Sequence, residues 1–203
     1  MAWLERDVLL RALVRFVGAA VVLGALAVVL QGRLVGATLP MFRAWLGWID
    51  DTYRTVDLSM IDLKGELVVQ RIATPAHPHA IGGVVVYNDE RSSLSTQVAA
   101  GIVLQPLVLA VALLIAWPWR SAAELALRLA AATPLMVLVM LLDVPMMLYG
   151  FIWYQELSAV DAARFSALAY WADMMNAGGR FVLAIAAAAL AVGVPRIALA
   201  RTI

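Results

Sequence analysis

One acidic residue within an apolar run is the position at which this sequence most clearly offers chemistry. Asp143 stands in LLDVPMM, with apolar residues on both sides. An ionisable group at the centre of a membrane-length segment costs roughly 2.5–3.5 kcal/mol on insertion scales, and it faces a partner group or water. Two interpretations stay open. Asp143 is a proton, ion or partner-contact site, or it is structural, capping a proline-broken helix or pairing with Arg180 at the start of the last apolar run.

Two histidines form the second candidate. His77 and His79 stand two apart in AHPH, so an extended backbone would point both imidazoles to one side, as two metal ligands would. A zinc site uses three or four protein ligands, and the nearest carboxylates in sequence are Glu66, Asp89 and Glu90. We therefore expect a solvated, proline-rich loop here, with metal binding by the histidine pair as the alternative.

The inventory of reactive side chains is otherwise short. The chain has no cysteine, a single lysine at position 64, and no GxSxG, Walker or helix-opening GxGxxG motif. Hydrolysis needs a nucleophile beside a base, and methionines fill packing gaps more often than they bind copper. We predict that the protein is not an enzyme, has no catalytic residue and uses no cofactor.

Composition indicates an integral membrane protein. Hydrophobic residues make up 64% of the chain and charged residues 14%, against about 45–50% and 25% in soluble domains. Fifteen basic residues against fourteen acidic ones leave a net charge of +1, which gives no electrostatic footprint for nucleic acid. The lipid bilayer is the expected partner, and nucleic acid is not.

Four apolar runs are long enough to cross a hydrocarbon layer of roughly 30 Å, which needs about 20 helical residues. They lie near residues 13–31, 98–117, 126–153 and 179–199. We expect the first to be a retained anchor, because no small-residue cleavage site follows it. The third contains Pro134 and Pro145, which predict kinks or a break near 130–134 and 141–145.

A polar insert separates the first run from the others. Met41–Ile49 has aromatic and apolar residues at helical spacing, which predicts an interfacial helix with Arg43, Asp50 and Asp51 toward water. The alternative is that these aromatic and apolar residues pack on the spans. Period-two alternation from residue 56 to residue 70 then predicts two strands joined by a turn at 62–65. The β-branched run 84–87 predicts a third strand, TPAHPHAIGG an exposed loop, and 87–97 a polar approach to the second span.

The fold class that follows is a mainly α membrane protein, with four transmembrane helices, a small β-rich extracytoplasmic insert and interfacial helices. The second interfacial helix is expected near 158–176, opened by a capping box of Ser158 and Asp161 and ended by Asn176 and the following glycines. The predicted divisions are 1–32, an N-terminal anchor; 33–97, the insert; and 98–203, a three-span bundle.

Basic residues predict the orientation of these spans. They cluster before the first span, between the second and third, and after the last, at Arg6, Arg11, Arg15, Arg120, Arg128, Arg196 and Arg201. Short segments rich in arginine stay in the cytoplasm, so both termini are expected inside and the insert outside. We expect a multi-pass protein of a bacterial inner membrane.

The order of these elements resembles the exosortase H-associated membrane proteins, a family encoded beside exosortases. The resemblance rests on Tyr53 and Arg54, the stretch DLKGELVVQRIATP, and the run LSTQVAAGIVLQPLVLAVALLIAWP, and it covers roughly residues 40–150. Exosortases themselves use Cys, Arg and His, and this chain has no Cys. The resemblance implies an accessory subunit of a protein-sorting or envelope-processing system, with no catalytic residue to transfer.

Two functions follow as hypotheses. The first is a non-catalytic accessory subunit that holds another integral membrane protein through its spans and presents the insert outside the cytoplasm. The second is a proton- or ion-coupled membrane component in which Asp143 titrates.

Overall fold

The computed structural model describes residues 6–81, 84–87, 93–160 and 166–200. Asp161 of the predicted capping box and Arg201 lie outside these residues. The chain divides into two compact units, which we name the helical unit and the sheet unit. The helical unit comprises Met1–Leu30, Leu104–Val139 and Arg180–Ile203, and the sheet unit comprises Gln31–Val103 and Met140–Gly179. Residues 140–179, predicted as part of the membrane bundle, thus belong to the same unit as the insert.

Helices account for most of the described chain. They are α1 (Arg6–Ile49), α2 (Ala100–Ala116), α3 (Ala122–Val160), α4 (Ala167–Met174) and α5 (Arg180–Ala200). Within the described residues, three segments are helical, long and apolar enough to cross a membrane: Val8–Ile49, Ala122–Ala159 and Ala167–Gly193. The remaining predicted span, in α2, has 17 helical residues, fewer than the roughly 20 that a bilayer requires. The protein is thus mainly helical, with three candidate membrane spans.

Two of these helices are longer than the sequence predicts. The anchor and the interfacial helix Met41–Ile49 are one helix, because α1 continues through Pro40 over 44 residues. The expected break in the third span is also wrong, since α3 is helical through Pro134 and Pro145 over 39 residues. A proline removes one intrahelical hydrogen bond. The hydrogen bonds of the turns before and after it keep each helix continuous.

The core of the helical unit is built from small residues. Buried alanines of α5 meet apolar side chains of α2 and α3, and with so little side chain between them the backbones can approach closely. The members of this cluster are Ala110, Leu114, Ala132, Met136, Val139, Ala184, Ala187, Ala188, Ala191 and Val192.

The predicted hairpin is confirmed in the sheet unit. Strand β1 (Tyr53–Leu63) pairs antiparallel with β2 (Glu66–Pro75). Lys64 and Gly65 form the turn with φ of 57° and 88°, and two successive positive values match the twist of the strands in a two-residue hairpin. The Gly65 amide donates to Asp62 Oδ1 at 2.7 Å. The register shifts between Thr55 and Asp57, so Val56 is an extra, bulged residue on β1.

The third strand of this sheet is not the predicted one. Strand β5 (Leu94–Ala99) pairs antiparallel with β2, giving the order β1-β2-β5. From the sequence alone, these residues are predicted to be a polar approach to a span. Val84–Val86 is a strand, β4, but it pairs with β3 (His79–Ile81) in a separate two-stranded ribbon. The predicted loop TPAHPHAIGG is therefore also wrong in part, because its first two residues end β2 and His79 begins β3.

The second predicted interfacial helix begins later than expected. Ser158 lies inside α3, where its hydroxyl donates to the Gln155 carbonyl at 2.8 Å. The N-cap of α4 is Ser166, which has an extended backbone and a hydroxyl that accepts from the Ala169 amide. After α4, the backbone of Met175–Gly179 turns without regular helical geometry, because Gly178 has a φ of 115°. This turn marks a kink before α5, near the expected helix end.

Gly150 brings α3 and α4 into close approach. A Cβ at this position would lie 2.4 Å from the Leu168 carbonyl oxygen and 2.9 Å from the Ala172 Cβ. Neither neighbour is the end of a flexible side chain, so no larger residue fits without moving a backbone. Glycine therefore sets the packing distance between these two helices.

Candidate functional site

A buried ion pair lies where α1 ends and the sheet begins. Asp50 Oδ2 accepts from Arg71 Nη2 at 2.6 Å, and both side chains are fully buried. Asp50 Oδ1 accepts from the amides of Thr52 at 3.1 Å and Tyr53 at 2.9 Å. The carboxylate thus receives three donors, and two of them fix the backbone turn that leads into β1.

Arg71 makes further contacts within the sheet unit. Its Nε donates to Thr55 Oγ1 at 3.0 Å. Its guanidinium carbon lies 5.8 Å from the Tyr149 ring centroid, within the range of a cation–π contact. Arg71 Nη1 has no hydrogen-bond partner among the described residues. One guanidinium therefore joins the end of α1, strands β1 and β2, and helix α3.

A second polar cluster joins three elements distant in sequence. The Tyr53 hydroxyl of β1 donates to the Glu156 carboxylate of α3. His79 Nε2, at the start of β3, lies 3.1 Å from Glu156 Oε2 and 3.2 Å from Tyr53 Oη. Tyr53 is buried, and the side chains of Glu156 and His79 are 9% and 16% exposed. We call Tyr53, His79 and Glu156 the polar triad.

Aromatic rings surround the triad. The Tyr53 ring meets His79, Trp153 and Tyr149 edge to face, with centroid separations of 5.4, 6.0 and 6.4 Å. Tyr149, Trp153 and Glu156 recur along α3 at steps of four and three residues, so they lie on one helical face. These edge-to-face contacts hold the Tyr53 hydroxyl in line with the carboxylate.

The surroundings of Tyr53 keep its hydroxyl protonated. Burial raises the pKa of Tyr53 well above that of a free tyrosine, and the hydrogen bond to Glu156 and the negative charge of that carboxylate raise it further. A phenol in this state is a hydrogen-bond donor. The triad therefore acts as a clamp between strand, ribbon and helix.

The structure separates the two predicted histidines. His77 is exposed, and its backbone carbonyl, rather than its imidazole, lies 3.1 Å from His79 Nδ1. The other ring nitrogen of His79, Nε2, faces Tyr53 and Glu156. His79 therefore does not lie in a solvated loop. Among the described residues, no group of three or more His, Cys, Asp or Glu side chains converges as a metal site would require.

The predicted intramembrane residues are both buried. Asp143 of α3 is fully buried in the sheet unit, and Arg180, the first residue of α5, is 2% exposed in the helical unit. One turn of α3 is tied to α4 beside Asp143, because Trp171 Nε1 donates to the Leu142 carbonyl at 2.8 Å.

The sequence alone does not predict the buried ion pair or the polar triad. Asp50 was expected to face water from an interfacial helix, and this is wrong, because the residue is buried against Arg71. The 4–3 spacing of Tyr149, Trp153 and Glu156 was the available signal for the helical side of the triad. Of the two residues that carry the family resemblance, Tyr53 belongs to the triad and Arg54 is exposed.

The fold is that of a mainly helical protein with apolar helices of membrane length and a small antiparallel sheet. A buried ion pair and a polar triad connect this sheet to the helices. Comparison with protein-family models, curated proteins and solved structures finds no match to this chain.

The buried ion pair yields the first prediction. Arg71→Met or Asp50→Asn alone should lower the free energy of unfolding by about 3–5 kcal/mol, because each removes one partner of a buried pair. The double variant should lose less than the sum of the two. Denaturant unfolding in mild detergent, followed by tryptophan fluorescence, measures these values.

The chain offers an exposed ion pair as a control. Arg43 and Asp57 lie 3.7 Å apart, with side chains 58% and 45% exposed, so Arg43→Gln should change stability by only about 0–1 kcal/mol. Equal effects of Arg71→Met and Arg43→Gln would show that the buried pair does not hold the site.

Tyr53→Phe yields the second prediction. Loss of a donor to a buried carboxylate should reduce stability by about 1–3 kcal/mol at neutral pH. Because the folded-state pKa of Tyr53 is raised, its contribution is fully present below pH about 10 and is lost as pH rises beyond that value. The stability gap between the wild type and Tyr53→Phe should thus be constant to about pH 10 and then shrink.

The matched control is Tyr87→Phe, at an exposed tyrosine of the insert. Its stability gap to the wild type should be close to zero at neutral pH. If the gap for Tyr53→Phe were equally small there, the hydroxyl of Tyr53 would not clamp Glu156.

Proposed function

We propose that this chain is a non-catalytic accessory subunit of a larger complex in a bacterial inner membrane. In this proposal, helix α1 binds another integral membrane protein, and the sheet unit presents the insert outside the cytoplasm. The observation that carries it is the exposure of α1. None of the most apolar stretch of Val8–Ile49 is buried within this chain, against 61% for Ala122–Ala159 and 39% for Ala167–Gly193.

The exposed side of α1 has the pattern of a helix-packing surface. Small and β-branched residues alternate at steps of four and three, all of them exposed. This heptad-like spacing keeps one seam toward a partner helix, and small residues let the two backbones approach closely. We name this set the α1 seam: Val14, Gly18, Val21, Ala25 and Val28.

Open space along the seam supports this interpretation. A Cβ added at Gly18 would meet no atom of another element within 4 Å, so none of the described residues fills that position. Lipid tails are as apolar as a partner helix, and exposure alone does not distinguish them. The regular spacing of small residues favours a helix, because close packing rather than apolarity drives association in a membrane.

The insert offers a second contact surface. Val84, Val85 and Tyr87, on and beside β4, are exposed. Apolar side chains grouped on a polar insert are typical of a protein-binding surface. The resemblance to exosortase-associated proteins directs the proposal to protein sorting or envelope processing, and the clamping arrangement of the polar triad supports a scaffolding role for the insert.

The seam can be tested by paired substitutions on one helical turn. Ala25→Trp places bulk in the seam, whereas Leu26→Trp places it about 100° further round α1. Purification in mild detergent should recover a stoichiometric second membrane protein with the wild type and Leu26→Trp, and lose it with Ala25→Trp. A photo-crosslinker at position 25, and not one at position 26, should capture the same protein.

Two outcomes would contradict the proposal. One is a monodisperse monomer in mild detergent that retains full biological activity. The other is equal recovery of the partner with both tryptophan variants, which would remove the seam from the interface.

The complete burial of Asp143 within a candidate span favours a second function, a proton- or ion-coupled membrane component. Asp143→Asn keeps the shape and removes the charge. Loss of ion or proton flux in reconstituted vesicles, with assembly intact, would support coupling. Loss of assembly at unchanged flux would assign Asp143 a structural role and leave the accessory-subunit proposal as the better account.

A further inference from the structure

Two adjoining cavities lie in the helical unit between the start of α1 and the end of α2. The first, of about 310 Å³, is lined by apolar side chains that include Leu9, Leu13, Phe16 and Leu113. The second, of about 280 Å³, is lined by Arg11, Arg15 and Trp119. They share a common wall formed by Val8, Ala12, Ala116 and Pro118. An apolar cavity and a basic one are therefore contiguous.

The basic cavity has the geometry of an anion site. Arg11 and Arg15 are exposed and stand one turn apart, so their side chains project from the same face of α1. The guanidinium carbon of Arg15 lies 6.0 Å from the Trp119 ring centroid, which restricts its orientation. Two arginines that line one cavity favour a bidentate anion such as phosphate.

The position of the cavities matches a membrane–water boundary. An apolar run of α1, residues 16–30, begins directly after Arg15. Trp117 and Trp119 flank Pro118 at the same end of the unit, and tryptophan prefers the headgroup level. Both cavities are lined by the first turns of α1, residues 8–16, so they lie together at this boundary and face different sides of the helix.

We propose that the two cavities form a binding site for an anionic phospholipid. The phosphate of the headgroup binds Arg11 and Arg15, and part of one acyl chain lies in the apolar cavity along Leu13, Phe16 and Leu113. Basic pockets between membrane helices recognise anionic headgroups in this way. A volume of about 310 Å³ is at the lower end for ligand pockets, which suits one segment of a chain. Contiguity with the apolar cavity distinguishes a lipid from a soluble phosphate.

Native mass spectrometry of the delipidated full chain in detergent tests this proposal. Phosphatidylglycerol should be retained at least about tenfold more tightly than phosphatidylcholine with the same acyl chains, because both carry the phosphate and only phosphatidylcholine adds a cation that the two guanidinium groups repel. Arg11→Gln/Arg15→Gln should abolish this preference. Ala12→Phe, which fills the shared wall, should weaken retention of phosphatidylglycerol.

Arg33→Gln is the matched control, since Arg33 is an exposed arginine of the same helix outside both cavities. It should leave the preference intact, and circular dichroism should show every variant folded. Equal affinity for the two lipids, or an unchanged preference in the double variant, would overturn the proposal. Competition by millimolar inorganic phosphate would overturn it in favour of a soluble-anion site, and a dimer dispersed by Ala12→Phe would overturn it in favour of a second copy.

Discussion

The contact between Asp50 and Arg71 is the constraint on which the sheet unit depends. A carboxylate and a guanidinium that are both removed from water lose hydration worth several kcal/mol each, and only close pairing and further donors compensate them. Asp50 satisfies this requirement with Arg71 and with the Thr52 and Tyr53 amides. These same bonds turn the chain from α1 into β1. The hydrogen bonds that compensate the buried charge of Asp50 are therefore the same bonds that set the direction of the backbone after α1.

The polar triad follows from that turn. The Asp50 carboxylate fixes the Tyr53 amide, and the Tyr53 ring then extends between Trp153 and Tyr149 to reach Glu156. Tyr53 and Glu156 are 103 residues apart in sequence, so their bond forms only after strand and helix have come together. Local propensity cannot stabilise such a contact by itself. Burial raises the pKa of Tyr53, so its hydroxyl stays a hydrogen-bond donor to Glu156 at neutral pH.

Features with a local physical origin could be predicted from the sequence. The β1–β2 hairpin is one of these, because its alternation and its Lys64–Gly65 turn lie within about twenty consecutive residues. The apolar helices are another, since length and hydropathy are read directly from composition.

Strand β5 was missed because LSTQVA has weak alternation and becomes a strand only by pairing with β2. His79 was placed in a loop because neighbouring prolines argue against a strand, while the ribbon with β4 is a tertiary pairing. The sequence predicts that Asp50 faces water, because helical periodicity identifies a polar face but does not show whether a buried cation lies opposite it.

The bulge at Val56 has a consequence for how the insert can meet other proteins. Strand β1 is an edge of the three-stranded sheet, and a flat edge of eleven residues would be a template for a foreign strand. The extra residue interrupts the regular sequence of outward amides and carbonyls and increases the local twist. A docking chain therefore cannot extend the sheet along the whole of this border. A foreign strand could pair regularly only along residues 57–63, so the bulge shortens the part of this edge that is open to strand exchange.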